Sequence, residues 1–394
     1  MTLNASGPIS LAGSTTGQSI AVELGLGATT TISLNQAAVR TLAGIASGAI
    51  VMPTNFWGKS SGQSVIAMAL GSTIGAGIIT YPWSAGFGTK YADPSSYALD
   101  TSSVAFNPAG TAIAIGGQTT PYIFVYPWSN GFGTKYADAS PLPTGFANVF
   151  GVTFNPAGTA IAVARSNAPF IDAYAWSAGF GTKYANPSSP AGGNGWGVAF
   201  NPAGTVIALA RSTTPFIDAY AWSAGFGTKY ANPSPPPAGP SEATSVAFNP
   251  AGTAIAVASG SSPYIHVYLW SAGFSTKYAN PASLPTSWCV SVTFNPAGTA
   301  IAVASASSPN IHVYPWSAGF GTKYANPASL VTGSGRGVAF NPAGTAIAVA
   351  SGSSAGSPYI FVYPWSAGFG TKYANPASLP AGRGSSGITF NNVV

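Results

Sequence analysis

Between Ser245 and Pro281 the hydrophobic and polar positions fall into short alternating runs, each closed by a turn signal. Ser245-Val246-Ala247-Phe248 reads as a first strand. Asn249-Pro250-Ala251-Gly252 follows as a type I turn, because Asn at the first position, Pro at the second and Gly at the fourth suit its dihedrals. Thr253 to Ala258 alternates small and β-branched residues, the pattern of a buried strand. After Ser259 to Pro263 comes Tyr264 to Trp270, rich in aromatic and β-branched residues and so a third strand. Ser271-Ala272-Gly273 then turns the chain into a fourth, Thr276-Lys277-Tyr278-Ala279.

This unit recurs. Trp-Ser-x-Gly-Phe begins at Trp83, Trp128, Trp176, Trp222, Trp270, Trp316 and Trp365, at spacings of 45 to 49 residues. Phe-Asn-Pro-Ala-Gly-Thr begins at Phe106, Phe154, Phe200, Phe248, Phe294 and Phe340, with a broken copy at Phe390. Four strands in such a period make one blade of a β-propeller. The first unit opens at Ser64 to Ala69, which matches a second strand and has no first strand before it. The last ends at Gly387 to Phe390, a first strand with nothing after it. Pairing the two would close a ring and remove two open edges. The expected fold class is therefore all-β: a seven-bladed β-propeller of four-stranded blades over residues 61–394, closed by its terminal strands. Residues 1–60 share nothing with the repeat and are expected to form a small β-rich head.

Composition narrows the function classes. The 394 residues include 49 Gly and 33 Pro, and only 5 % are charged, where about 25 % is usual. A hydrophobic share of 46 % supplies a core and excludes a disordered chain. The net charge of +6 is spread along the sequence without a Lys/Arg cluster, so nucleic-acid binding is not expected. Val65 to Tyr81 is largely apolar, but Gly71, Ser72, Gly75 and Gly77 and its match to paired strands elsewhere argue against a membrane span. Cys289 has no partner for a disulfide, and Met1 to Ile20 lacks the basic and apolar regions of a secretory signal.

Two resemblances add to this reading. The repeat resembles WD-repeat propellers: Phe-Asn-Pro-Ala-Gly-Thr stands where that family has Phe-Ser-Pro-Asp-Gly-Lys, and Tyr268-Leu269-Trp270 where it has Leu-Trp-Asp. The Asp after Trp is Ser here, and the Gly-His pair is missing. Residues 1–60 resemble the head at the start of many tailed-phage tail proteins, through Pro8-Ile9-Ser10-Leu11, Ala38-Val39-Arg40-Thr41-Leu42-Ala43-Gly44 on a helix expected over residues 33–44, and Asn55-Phe56-Trp57-Gly58-Lys59-Ser60. That resemblance implies a tail fibre or receptor-binding protein of the virion, made in the host cytoplasm, whose head docks to tail or baseplate proteins.

The acids are Glu23, Asp93, Asp100, Asp138, Asp172, Asp218 and Glu242, and the histidines are His266 and His312. His266 and His312 share one repeat position with Phe124, Asp172, Asp218 and Phe361, which marks packing between blades. Two histidines without a third ligand make no metal site. Asp172 and Asp218 each follow an arginine by seven residues, Arg165 and Arg211, as cross-strand ion pairs would. No nucleophile has a base, and no second carboxylate recurs beside the first. No catalytic residue, metal or cofactor is expected, and the chain reads as a non-enzyme. Lys90, Lys135, Lys183, Lys229, Lys277, Lys323 and Lys372, one per blade, form a rim of charge that serves solubility.

Strand direction sorts the loops. The first-to-second and third-to-fourth turns share one face and are nearly constant, whereas the blade connections share the other and vary. The large side chains Tyr97, Phe146, Phe150, Trp196, Trp288, Arg336 and Arg383 lie in those variable segments. Aromatic and Arg residues anchor interfaces and stack on sugar rings. The expected function is binding of a host-surface glycan or protein through this face, with avidity from several copies or a homo-oligomer. A purely structural tail component and an envelope-directed hydrolase are the other two readings.

Overall fold

The computed structural model describes residues 19–24, 32, 37–43, 64–71, 77–95, 100–143, 145, 148–189, 192–237, 242–352, 358–380 and 383–391. The chain divides into two compact units, residues 65–392 and residues 1–64 with 393–394. The described part of the smaller unit holds two helices, Ile20–Glu23 and Ala37–Ala43, around a core of Ile20, Ala21, Ile32, Val39, Leu42 and Ala43. Ala37–Ala43 falls within the helix expected over residues 33–44, and Val39 and Leu42, three positions apart, both turn into that core; the rest of the head expected to be β-rich lies mostly outside the described residues. Pro8 to Leu11 and Asn55 to Ser60 lie outside the described residues.

The larger unit is all-β, a series of small antiparallel sheets consistent with a β-propeller. Ala243–Phe248, Ala254–Ser259, Ile265–Trp270 and Phe274–Lys277 pair in that order. The second strand of a sheet is buried along its whole length, as in Ala254–Ser259, so both of its faces pack, and alternating Ala with Ile and Val leaves room for neighbours. Equivalent second strands lie at Ala112–Gly117, Ala160–Arg165, Val206–Arg211, Ala300–Ser305 and Ala346–Ser351.

Asparagine makes the first turn by more than its backbone. Asn249 Oδ1 accepts the amide hydrogens of Thr253 and Ala254, both at 2.8 Å, while Gly252 takes a φ of +68° that a side chain would strain. A tryptophan closes each sheet against the one before it. Trp176 meets Phe154 at 5.4 Å, Phe180 at 5.4 Å and Tyr136 of the preceding sheet at 5.2 Å, all edge to face. Trp83 has no Phe-Asn-Pro strand before it in sequence. It meets Phe390 at 5.9 Å and Tyr373 at 5.0 Å instead, because Val65–Gly71 pairs with the C-terminal strand Arg383–Phe390.

Four strands per sheet, the sequence expectation, holds for three sheets, each with a short fourth strand: Phe180–Lys183, Phe226–Lys229 and Phe274–Lys277. In the other four an isolated bridge between Trp and Phe takes its place, at Trp83–Phe87, Trp128–Phe132, Trp316–Phe320 and Trp365–Phe369. The residue before Trp is the cause. It is Ala175, Ala221 or Leu269 where the fourth strand forms, and Pro82, Pro127, Pro315 or Pro364 where it does not. Proline has no N–H to give the ladder, and only its carbonyl still bonds, as Gly321 N to Pro315 O at 2.9 Å shows.

Candidate functional site

The first strands of successive sheets pack side by side: Thr101–Phe106, Val149–Phe154, Gly195–Phe200, Ala243–Phe248, Cys289–Phe294 and Gly335–Phe340. Each carries a β-bulge at its second residue, where the pairing register slips between the first and third. The bulged residues are Ser102, Phe150, Trp196, Thr244, Val290 and Arg336, different in every sheet although the residue after each is always Ser or Gly. A bulge re-aims the side chain it carries and is common next to binding sites. Six equivalent bulges thus present six different side chains at one end of the first strands.

Four of them, Phe150, Trp196, Thr244 and Val290, line a cavity of about 110 Å³ among five first strands, together with Ser103, Ser245 and Ser291. The Phe150 and Trp196 rings stack at 4.2 Å with 33° between their planes. Ser103 Oγ accepts the amide of Val152 at 2.9 Å, and Ser245 and Ser291 accept those of Val292 and Val338, both at 3.3 Å. A hydroxyl that accepts in this way keeps its own hydrogen to donate, so the cavity wall offers three donors. The indole N–H of Trp196 is buried and completes no hydrogen bond. It interacts with Glu242, whose carboxyl is raised above its ordinary value by burial, an effect the indole opposes.

The connections before the first strands are pinned by buried tyrosines. Tyr314 donates to Ser283 O at 2.8 Å, Tyr363 to Ser329 O at 2.7 Å and Tyr220 to Ser189 O at 2.9 Å. Burial pushes these phenols well above their ordinary range, so each remains a donor. The bulges and these tyrosine anchors were missed in the sequence. The legible signal was one variable position four residues before each Phe-Asn-Pro, together with an invariant Tyr two before each Trp-Ser.

Of the residues singled out from sequence, Phe150, Trp196 and Arg336 occupy equivalent bulges, and the structure brings Phe150 and Trp196 into contact. Trp288 is 39 % exposed on a connection, at the repeat position held by Glu242 one sheet earlier. Tyr97, Phe146 and the side chain of Arg383 lie outside the described residues.

In six sheets the position shared by His266 and His312 is approached by the lysine of the fourth segment. Lys135 and Lys372 lie 5.8 Å from the ring centres of Phe124 and Phe361. Lys183 reaches Asp172 at 2.7 Å and Lys229 reaches Asp218 at 2.6 Å. Lys277 and Lys323 face His266 and His312, which burial, with a smaller push from these cations, holds down at a pKa of about 4. The lysines therefore work inward as well as toward solvent. The arginine pairs are as expected, Arg165 with Asp172 at 2.7 Å and Arg211 with Asp218 at 2.8 Å. Among the described residues no group of three or more metal-ligating side chains occurs.

No family model matches the sequence, and no curated protein matches it. Solved structures do. A periplasmic gluconolactonase of Pseudomonas aeruginosa is 14 % identical with a TM-score of 0.63, over 84 % of this chain and 100 % of its own. A Bacteroides fragilis protein provisionally assigned as a 6-phosphogluconolactonase is 10 % identical with a TM-score of 0.62, over 84 % and 98 %. A protein of unknown function from Desulfotomaculum acetoxidans is 13 % identical with a TM-score of 0.61, over 84 % and 99 %.

At these identities the likeness establishes a shared fold. It also corrects three expectations. The reading as a non-enzymatic, receptor-binding tail protein, the exclusion of enzymes and the virion location all give way, because these similar structures are bacterial proteins, lactonases and a periplasmic protein among them. The physical reason for the miss is that a propeller's architecture is set by its repeat, whereas its chemistry rests on a few side chains that the repeat does not specify.

Proposed function

We propose that the larger unit is a seven-bladed, WD-repeat-like propeller closed by Val65–Gly71 and Arg383–Phe390, and that its channel mouth binds and hydrolyses a small polyhydroxylated cyclic ester. Ring closure is supported by the Trp83–Phe390 contact and by Asn391, whose Oδ1 accepts the Val65 amide at 2.7 Å. The observation that carries the functional reading is the hydroxyl-lined cavity among five first strands, with the Phe150–Trp196 pair on its wall and Glu242 against the Trp196 indole. The aromatic faces take the apolar face of the ring, and the serine hydroxyls take its oxygens. Glu242, made a better base by partial burial, removes a proton from water as the water adds to the ester carbonyl. The ring C–O bond then breaks, the proton passes to the departing oxygen, and a hydroxy acid results.

The test is acid release from a panel of γ- and δ-lactones of sugars by the full chain. Glu242→Gln should lower turnover by roughly 10²-fold or more with binding kept, and Trp196→Ala should weaken binding by about tenfold, as loss of a stacking anchor does. Neither acid release nor saturable binding with any lactone of the panel would sink the reading.

A further inference from the structure

The large hydrophobic side chains exposed among the described residues all lie on the connections that leave three consecutive sheets. Leu284, Leu330 and Leu379 hold one repeat position and are 38 %, 42 % and 44 % exposed, and Trp288 follows Leu284 on the first of these connections. They are firmly placed. The carbonyl just before each leucine, of Ser283, Ser329 and Ser378, accepts a buried phenol of the next sheet: Tyr314 at 2.8 Å, Tyr363 at 2.7 Å and Tyr81 at 2.6 Å. A leucine on so fixed a backbone loses little freedom when a partner covers it.

The lysines of the same three sheets are the ones left without a counter-charge. Every acid of the sequence lies among the described residues. Asp93 and Asp138 hold Lys90 and Lys135, and Asp172 and Asp218 hold Lys183 and Lys229. Lys277, Lys323 and Lys372 have Asn280, Asn326 and Asn375 where Lys90 and Lys135 have an aspartate or its equivalent. Each donates to that amide oxygen, Lys277 at 2.5 Å and Lys372 at 2.6 Å, and among the described residues none meets a carboxylate. Burial lowers all three amines below their ordinary value, and each keeps at least one hydrogen to donate.

Lysines and leucines alternate along this rim. Lys323 precedes Tyr324, whose amide donates to Val313 O at 2.9 Å, next to the Tyr314 that pins the segment of Leu284. Lys372 precedes Tyr373, whose amide donates to Val362 O at 2.9 Å, next to the Tyr363 that pins the segment of Leu330. The order is therefore Lys277, Leu284, Lys323, Leu330, Lys372, Leu379. At its end Ala377 and Ser378 line one cavity of about 670 Å³ with Lys90, Tyr91 and Asp93, so the groove between a connection and the next sheet is open. There Asp93 already takes the lysine.

We propose that this row docks an acidic segment of a partner protein, whose carboxylates meet Lys277, Lys323 and Lys372 and whose apolar side chains cover Leu284, Leu330 and Leu379. The carboxylates supply the counter-charge that three half-buried amines lack, and the leucines supply apolar area. A protein segment fits where a bilayer does not: the amines sit beside their asparagines, half-buried, within reach of a single side chain and not of a flat headgroup layer. The row shares no residue with the cavity of Phe150 and Trp196.

The experiment selects binders from a library of random short peptides on the immobilised full chain and measures their affinity by calorimetry. Enriched peptides should interleave Asp or Glu with Leu, Ile or Phe and should weaken as salt is raised. The double variant Asn326→Asp with Asn375→Asp copies the Lys90–Asp93 pair and neutralises two lysines from within the chain. It should lower peptide affinity by about tenfold or more, and Leu330→Ser with Leu379→Ser should do about the same. Both double variants should keep the wild-type melting temperature, because all four positions are exposed. Undiminished binding to either variant, or a selection that enriches no acidic peptide, overturns the proposal. Vesicles of phosphatidylserine in phosphatidylcholine run in parallel: vesicle binding lost in both variants, with no acidic peptide enriched, assigns the row to an anionic membrane and overturns the protein partner. None of these outcomes touches the lactone reading, which rests on other residues.

Discussion

Arg165 Nε stands 2.7 Å from Asp172 Oδ2 with neither side chain reaching solvent, and Lys183 Nζ closes the other carboxylate oxygen at 2.7 Å. The same column recurs one sheet later in Arg211, Asp218 and Lys229. These are the two sheets whose bulges carry Phe150 and Trp196. Arg211 also donates to Thr213 Oγ1 at 2.8 Å and to Gly192 O, in the connection that leads into Trp196. The charged columns therefore sit behind the aromatic pair and brace one of its approaches.

Replacing Asp172 by Phe should cost about 3–5 kcal/mol, because Arg165 would remain buried without its counter-charge. The chain contains its own remedy: the sheet of Phe361 has Ser351 where Arg165 stands, and Lys372 lies over the Phe361 ring. The double variant Arg165→Ser with Asp172→Phe should come back to within about 1 kcal/mol of wild type. Denaturant unfolding of the two single variants and the double decides it, and additive losses would refute the account.

Acid should destabilise the propeller through two histidines. In the folded chain His266 and His312 hold pKa values of about 4 against 6.5 when exposed. Between those values the unfolded chain binds protons that the folded chain refuses, so stability is full above pH 6.5 and falls as the pH drops toward 4. The loss is on the order of 3 kcal/mol for each histidine. His266→Phe with His312→Phe, which copies Phe124 and Phe361, should flatten the slope in that window. An unchanged slope in thermal melts between pH 4 and pH 7 would count against the assignment.

Gly387 tests ring closure. A Cβ there would stand 2.6 Å from Ser103 Cα and 2.7 Å from Val104 N, both backbone of the neighbouring first strand. Backbone cannot swing aside, so Gly387→Ala should cost about 1–3 kcal/mol. A melting temperature equal to that of wild type would mean that these strands do not meet in solution.

The turn asparagines should be individually costly. Asn295 Oδ1 serves the amides of Thr299 and Ala300, both at 2.8 Å, and Ala300 is buried. Asn295→Ala leaves at least one buried N–H without an acceptor, at a cost of about 1–3 kcal/mol. Asn295→Asp keeps the acceptor and should recover most of it, as chemical unfolding at neutral pH would register.

The architecture was legible because it is written locally and repeatedly. Asn249-Pro250-Ala251-Gly252 fixes a turn with its own dihedrals and side chain, and the alternation in Ala254–Ser259 fixes which residues are buried. Neither needs knowledge of a distant segment. Proline before tryptophan also acts locally, by withholding one N–H, yet its effect on the fourth strand emerged only when the partner segment was in place. The site was legible in part. Phe150, Trp196 and Arg336 stood out as large residues in variable segments, whereas Glu242 looked like one scattered acid among seven.

The sequence by itself determined the strands, their turns and the spacing of the sheets, since these follow from residue preferences within about ten positions. Only the tertiary structure decided which residues meet. Phe150 touches Trp196 and Trp83 touches Phe390 because packing of whole sheets brings together segments that no local preference couples. It also decided that Phe150, Trp196, Thr244 and Val290, each carried on a bulge, line one cavity, a consequence of register between paired strands. The proposed function rests on those few contacts, which the repeat positions in space but does not encode.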